Sequence, residues 1–118
     1  LMAGGLALWR GAARPRVAVE PATLDFGRIR DRATRTAVVH NRGWASLQVL
    51  AVSSSCGCTT PAIEAWTVAP RRATRLTITF DAAAHGPQGG PARNVVYVRT
   101  NDPSRPEVEV EVRAWVLR

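Results

Sequence analysis

Glu107-Val108-Glu109-Val110-Glu111-Val112-Arg113-Ala114-Trp115-Val116-Leu117 is the stretch that decides the fold. Valine or alanine fills every second position from Val108 to Val116, while Glu107, Glu109, Glu111 and Arg113 stand between them. Residues two apart on a strand share a face, so this period describes a strand with one buried side; a helix would repeat every 3.6 residues. Trp115 and Leu117 fall on the opposite face.

The same reading extends upstream. Leu76, Ile78 and Phe80 alternate with Thr77, Thr79 and Asp81, and Val95 to Val98 is a further strand. In Leu47 to Val52, the parity puts Leu47, Val49 and Ala51 on one face and Leu50 and Val52 on the other. Trp66 to Val68 is a brief strand, and Ala33 to His40 a longer one. Val17 and Val19 belong to a short strand ended by Pro21. Leu24 and Phe26 share a face, and Ile29 joins them only if a bulge at Gly27 shifts the parity. Turn chemistry separates these runs: Asp31-Arg32, Asn41-Arg42-Gly43, Ala69 to Arg72, and Thr100 to Pro106. Pro61 to Ala65 reads as a loop, and His85 to Pro91 (HGPQGGP) as the longest one. No stretch has the pattern of an amphipathic helix. About seven to eight short strands, with turn signals about every 8–12 residues, predict an antiparallel immunoglobulin-like β-sandwich.

A chain of 118 residues suffices for one domain around one core. That domain is expected over residues 16–118, after an N-terminal segment at 1–15. The composition, 46% hydrophobic and 21% charged, belongs to globular rather than disordered proteins. The net charge is +7, and all 16 basic residues are arginine. A GC-rich genome accounts for that bias. Guanidinium groups also grip carboxylates and phosphates, but these arginines are scattered and no nucleic-acid-reading motif accompanies them, so no nucleic-acid partner is expected.

Leu1 to Trp9 is apolar and shorter than the about 20 residues a membrane span needs. It reads as the end of an anchor or signal, with Trp9-Arg10 as an interfacial flank. Arg10, Arg14 and Arg16 precede the first acid, Glu20, and such a flank favours the cytoplasmic side. Orientation stays open at this point.

Both cysteines lie in Ser53-Ser54-Ser55-Cys56-Gly57-Cys58-Thr59-Thr60-Pro61. On an extended strand, residues two apart face the same way at about 6.6 Å. A disulfide asks for Cα atoms about 5.5–6 Å apart, a distance that a kink at Gly57 would give. Three states follow: a free dithiol, a short-loop disulfide, or a two-thiolate clamp on a soft metal ion. A bridge around so small a loop does little to constrain the unfolded chain. Two thiolates suit Cu(I), although the single methionine, Met2, is remote in sequence. C-x-C with the isolated His40 and His85 does not match zinc spacings. A nucleophilic cysteine needs a base, and neither histidine sits in a motif that supplies one.

Five stretches in order carry a family resemblance: TLDFGRI, NRGWASLQV, SSCGCTTP, the Pro70 turn before RLTITFD, and VRTNDPSRP. Together they resemble a bacterial family of Ig-like domains of unknown function marked by a Ser-Cys-Gly-Cys-Thr signature. That family is similar to the modules of abnormal-spindle and hydin-type proteins and to the major sperm protein fold. The resemblance implies an exported or surface-exposed protein, often with an N-terminal signal or anchor, and no enzymatic activity. The positions it carries over are Asp25, Phe26 and Gly27; Asn41 and Gly43; Cys56, Gly57, Cys58 and Thr59; and Asn101, Asp102 and Pro103. Arg71 stands where the family has glycine after the turn proline, which suggests another turn type, and HGPQGGP looks like a local elaboration.

Phe26, Trp66 and Trp115 are expected to pack against the sheets, and Asn41, Asn101 and Asp102 to satisfy turn backbone. The function expected is that of a non-catalytic interaction module in a cell-envelope or membrane-associated assembly, periplasmic or otherwise extracytoplasmic, with no cofactor. Its protein partner would meet the loop of His85, Gly86 and Gln88, the cysteine loop, or an edge strand. The alternative is a protein that handles Cu(I), or does thiol-redox chemistry, through Cys56 and Cys58.

Overall fold

The computed structural model describes residues 13–118. The expectations placed on Leu1 to Trp9 and on Arg10 therefore lie outside the described residues. Nine strands follow: β1 (Val17–Glu20), β2 (Thr23–Ile29), β3 (Arg32–Asn41), β4 (Leu47–Ser54), β5 (Thr59–Ile63), β6 (Thr67–Val68), β7 (Ala73–Asp81), β8 (Gly90–Thr100) and β9 (Glu107–Val116). One turn of helix, α1 (Ala82–His85), joins β7 to the β8 approach. The strands form two sheets, ordered β1-β3-β7-β5 and β2-β9-β8-β4-β6.

The alternation read in the sequence is what closes these sheets on one core. In β9 all of Val108, Val110, Val112, Ala114 and Val116 are buried, and in β7 Leu76, Ile78 and Phe80 face them from the other sheet. Each large apolar side chain removed from water in this way contributes roughly 1.5–3 kcal/mol. Phe26 is buried as expected, with its ring centroid 6.0 Å from that of Phe80.

Several local readings change. The sandwich is not wholly antiparallel: β2 pairs with β9 in parallel. The register of that pair shifts between Asp25 and Arg28, where Gly27 takes a φ of 68° and donates its N–H to Asp25 Oδ1 at 2.8 Å. This bulge returns Ile29 to the core, as its parity required. A second shift, between Val49 and Ala51 of β4, had no glycine to announce it. It extrudes Leu50, 61% exposed, and turns Val52 rather than Ala51 toward the core. Pro61 to Ala65 is not simply a loop, because Thr59–Ile63 pairs with β7 from Phe80 to Leu76. As an edge strand, β5 tolerates a proline. HGPQGGP is shorter as a loop than its composition suggests, since His85 ends α1 and Gly90-Pro91 opens β8.

Trp66 and Trp115 are not packed into the sheets; they are 51% and 50% exposed. Trp115 occupies an outward position between two core residues of β9, and Trp66 precedes the two-residue strand β6. The Pro70 turn keeps the geometry for which glycine is suited. Arg72 N–H donates to Ala69 O at 3.1 Å, and Arg71 adopts a φ of 65° at the third position. A turn with proline second and a left-handed residue third is of type II, so arginine here carries strain that glycine would not. Its guanidinium lies 5.0 Å from the Trp44 ring centroid and donates to Arg42 O.

One end of the sandwich is tied by buried polar groups. Asn41 Oδ1 accepts from Arg16 N at 3.2 Å and Gly43 N at 3.0 Å, while its Nδ2 donates to Ala45 O, Val68 O and Ala69 O. Asp102 Oδ2 accepts from Val17 N at 2.9 Å and its Oδ1 from Ser104 N at 2.8 Å. Asn101 bridges to β4 through Gln48 N at 2.7 Å. These residues do satisfy turn backbone, and Asn41 and Asp102 also hold the entrance of β1 through Arg16 and Val17. Gly43 belongs to the same knot. A Cβ there would come within 2.7 Å of Arg16 N and 2.9 Å of the Pro15 carbonyl carbon, and closer still to Arg14 O.

Candidate functional site

The other end of the sandwich holds the sulfurs. In β3 the knot residue Asn41 ends the strand and Arg32 begins it, so the two ends are about 30 Å apart along its ten residues. The chain leaves β4 at Ser54, turns through Ser55 to Cys58, and enters β5 at Thr59. The run Ser53-Ser54-Ser55 has strong local hydrogen-bonding capacity, and Ser54 and Ser55 use it here. Ser54 Oγ lies 2.6 Å from both Cys56 O and Thr59 O. Ser55 Oγ accepts from Val95 N at 2.9 Å, and Ser55 N donates to Val95 O at the same distance. Thr59 N donates to Cys56 O at 3.1 Å, and Cys58 O accepts from Asp81 N at 2.8 Å.

In this turn Cys56 and Cys58 are joined by a disulfide, with Cα atoms 5.2 Å apart, shorter than an extended strand allows. The kink does not depend on glycine in the way the sequence suggested. Gly57 has no left-handed backbone, is exposed, and has nothing within 4 Å of where a Cβ would stand.

Both sulfurs receive hydrogen bonds. Cys58 N donates to Cys56 Sγ at 3.1 Å, and the buried Asn94 donates from Nδ2 to Cys58 Sγ at 3.3 Å and to Thr59 Oγ1 at 3.1 Å. Cys58 is 1% exposed while Cys56 is half-buried, so the pair has one inner and one outer sulfur.

The third member is His85. Its imidazole, Cys56 Sγ and Cys58 Sγ have donor atoms that all lie within 4.8 Å of one another. The histidine is half-buried at the end of α1, with its ring centroid 6.0 Å from that of Phe80. Its short helix is held at both ends. Asp81 Oδ1 caps it by accepting from Ala83 N at 3.0 Å. Arg118 reaches back to donate to Ala82 O at 2.9 Å, to Pro87 O at 3.0 Å and to Gly86 O. Asp81 is also bonded to Arg32 at 3.1 Å, and this hydrogen bond, opposed by partial burial, holds its carboxyl below the usual range. The cap is therefore an anion at neutral pH.

Gly86 follows His85 with a φ of 120°, and Gln88 is exposed in the loop. His40 lies at the far end of β3, paired with Ala18 and Ala73, so the two histidines do not converge on the sulfurs. Sequence reasoning kept His85 apart from Cys56 and Cys58; the register between β5 and β7 brings it there. Thr59 pairs with Phe80, so Cys58 stands beside Asp81, four residues before His85. Asn94 and Arg118 carried no local signal, since their roles arise only from the pairing of β8 and β9 with the rest. Among the described residues no helix is long and apolar enough to cross a membrane.

Two sheets packed face to face with this strand order make the chain an immunoglobulin-like β-sandwich. It belongs to the family of proteins of unknown function called DUF1573, whose model matches residues 17–116. Among solved structures it is similar to a protein of unknown function from Porphyromonas gingivalis W83, at 21% identity and a TM-score of 0.78 over 88% of this chain. The match takes in 48% of the Porphyromonas chain, so this chain spans about half its length. It is also similar to a PapD-like (ASH) domain of human CEP192, at 10% identity and a TM-score of 0.69, covering 86% of this chain and 85% of that one. The periplasmic chaperone SfaE shares the fold at 9% identity and a TM-score of 0.59, over 86% of this chain and 57% of that one. No curated protein matches the chain by sequence.

Proposed function

We propose that this domain is a non-catalytic module that binds a protein partner along the outer margin of β4, as part of a cell-envelope assembly. The observation that carries this reading is the state of that margin. The edge strand β6 covers only Leu47 and Gln48, with one further bond from Val49 N to Trp66 O. Among the described residues no strand pairs with that side of β4 from Leu50 onward, the other side being taken by β8. Exposed Leu50 and Trp66 stand at the same margin, and exposed Trp44 lies in the loop leading into β4. An open strand edge beside large apolar side chains offers backbone hydrogen bonds for affinity and side-chain contacts for selection. Likeness to a chaperone and to a PapD-like domain supports the same reading. The His85 to Gln88 loop lies at the cysteine end and is secondary in it.

The extracytoplasmic setting rests on three supports. Disulfides persist in oxidising compartments, the family resemblance is to exported proteins, and the apolar run Leu1 to Trp9 is suited to an anchor. The native protein should partition with membranes and be released by clipping between Gly11 and Pro15; intact protein in the soluble fraction contradicts the anchor.

A photo-crosslinking residue placed at position 50 or 66 of the native protein tests the binding margin. Capture of one common protein from both positions, and none from position 35 on β3, is expected. Equal capture from position 35, or none from positions 50 and 66, overturns the reading.

A further inference from the structure

We propose that reduction of the Cys56–Cys58 bridge opens a three-donor site for Cu(I), with Cys56 Sγ, Cys58 Sγ and the His85 imidazole as ligands. The sulfurs and the imidazole already converge within 4.8 Å. Metal–sulfur bonds of about 2.3 Å and metal–nitrogen bonds of about 2.0 Å put the donors of a trigonal plane about 4 Å apart. The fit thus needs the sulfurs to part while the histidine moves little. Loss of the bridge itself parts them.

The chemistry balances with a thiol-class reductant. Two external thiols reduce the bridge, giving two cysteine thiols and one external disulfide. Cu(I) then displaces one proton from each cysteine and takes a lone pair from neutral His85. The product is a bis-thiolate–imidazole centre of net charge −1, formed on a chain whose net charge is +7 and whose Arg118 clamps the turn that bears His85.

Donor type and number favour Cu(I) over other ions. Thiolates select soft cations, and no carboxylate or second histidine joins these three donors among the described residues. Asn94 is the positioning residue. Its amide, held between Cys58 Sγ and Thr59 Oγ1, orients the inner sulfur and donates to it whether that sulfur is bridged or metal-bound. Such outer partners commonly contribute a factor of about 10–100 in metal affinity. Cys56, half-exposed, is the sulfur that a reductant and an incoming ion reach first.

The test is a competition for Cu(I) against a chromophoric bidentate chelator, on anaerobic full-length protein reduced with a phosphine. One Cu(I) per chain should be withdrawn from the chelator by the reduced protein and none by the oxidised protein. X-ray absorption should show two sulfur neighbours and one nitrogen. Cys56→Ser should abolish binding. His85→Ala should weaken it by more than about tenfold and remove the nitrogen neighbour, and Asn94→Ala should weaken it by about tenfold with the neighbours unchanged. His85 is half-exposed, so circular dichroism of its variant should match that of the wild type. Failure of the reduced protein to compete, an affinity indifferent to His85→Ala, or tighter binding of Zn(II) than of Cu(I) overturns the proposal.

Discussion

The two ends of this sandwich use polar residues in opposite ways. At the Asn41 end, buried amide and carboxylate oxygens accept from backbone N–H groups, and the contacts to Arg16, Val17 and Val68 tie segments 25 to 85 residues apart. At the cysteine end, serines and Asn94 build a cradle whose content is two sulfurs and a histidine, and the one covalent link there spans two residues of sequence. The first arrangement assembles the fold. The second is assembled by the fold and adds little to it. Cross-links and hydrogen bonds between distant segments stabilise in proportion to the freedom they remove, so a bond between neighbours in sequence is a poor staple and a good place for chemistry.

The largest effects of substitution should therefore fall at the Asn41 end. Asn41→Ala leaves Gly43 N and Val68 O without their side-chain partner in a buried setting, at a cost of about 3 kcal/mol. Gly43→Ala forces a Cβ into backbone atoms of Arg14 to Arg16 and should cost about as much, up to about 3 kcal/mol. Asp102→Ala, which orphans Val17 N, should cost about 2 kcal/mol. Urea unfolding of each variant measures these values. A loss below about 0.5 kcal/mol for Asn41→Ala would place it among ordinary surface substitutions and remove the contrast between the ends.

Legibility in the sequence divides along the same line. Period-two alternation in Val108 to Val116 and Leu76 to Phe80 was enough for the sandwich, because burial of one sheet face writes itself into every second residue. Asn41, Gly43 and Asp102 were legible as turn residues, though not as the grip on β1, which depends on segments 25 and 85 residues away. The Gly27 bulge showed in the parity of Ile29. The β4 bulge did not show, because Ala51 and Val52 are both apolar and either could have continued the core face after Val49. Trp115 misled for a related reason: tryptophan favours burial, but strand parity outranked it; Trp66 misled because it precedes the two-residue strand β6 instead of lying on it. At the cysteine end the signature was plain and its company was not. His85 arrives by strand register, and Asn94 by the pairing of β8, neither of which leaves a local pattern.

Smaller effects test the other side of the comparison. Reducing the disulfide, or replacing both cysteines by serine, opens a loop of three residues, for which chain entropy gives at most about 1.6 kcal/mol. Smaller still is the contribution of the ion pairs on the outer sheet faces. Glu111 accepts from Arg93 Nε at 3.1 Å and pairs with Arg113 at 2.9 Å; the Arg93 hydrogen bond, then the Arg113 charge, hold its carboxyl below the usual range against a modest opposing effect of burial. A carboxyl whose folded pKa is depressed stabilises the fold above its unfolded pKa, about 4.3, and that contribution is lost as pH falls through the folded value. Glu111→Gln should therefore lower Tm slightly at pH 7, and the gap to wild type should narrow as pH falls below about 4. A gap that does not narrow on acidification would mean that Glu111 acts through packing instead.

The contrast between the two ends is tested most directly by urea unfolding of the wild type, oxidised and reduced, beside Asn41→Ala under oxidising conditions. Reduction should cost no more than about 1.6 kcal/mol, and Asn41→Ala about 3 kcal/mol with the disulfide intact. A reduced wild type less stable than the oxidised Asn41→Ala variant would contradict that contrast, by making the cysteine turn a structural staple.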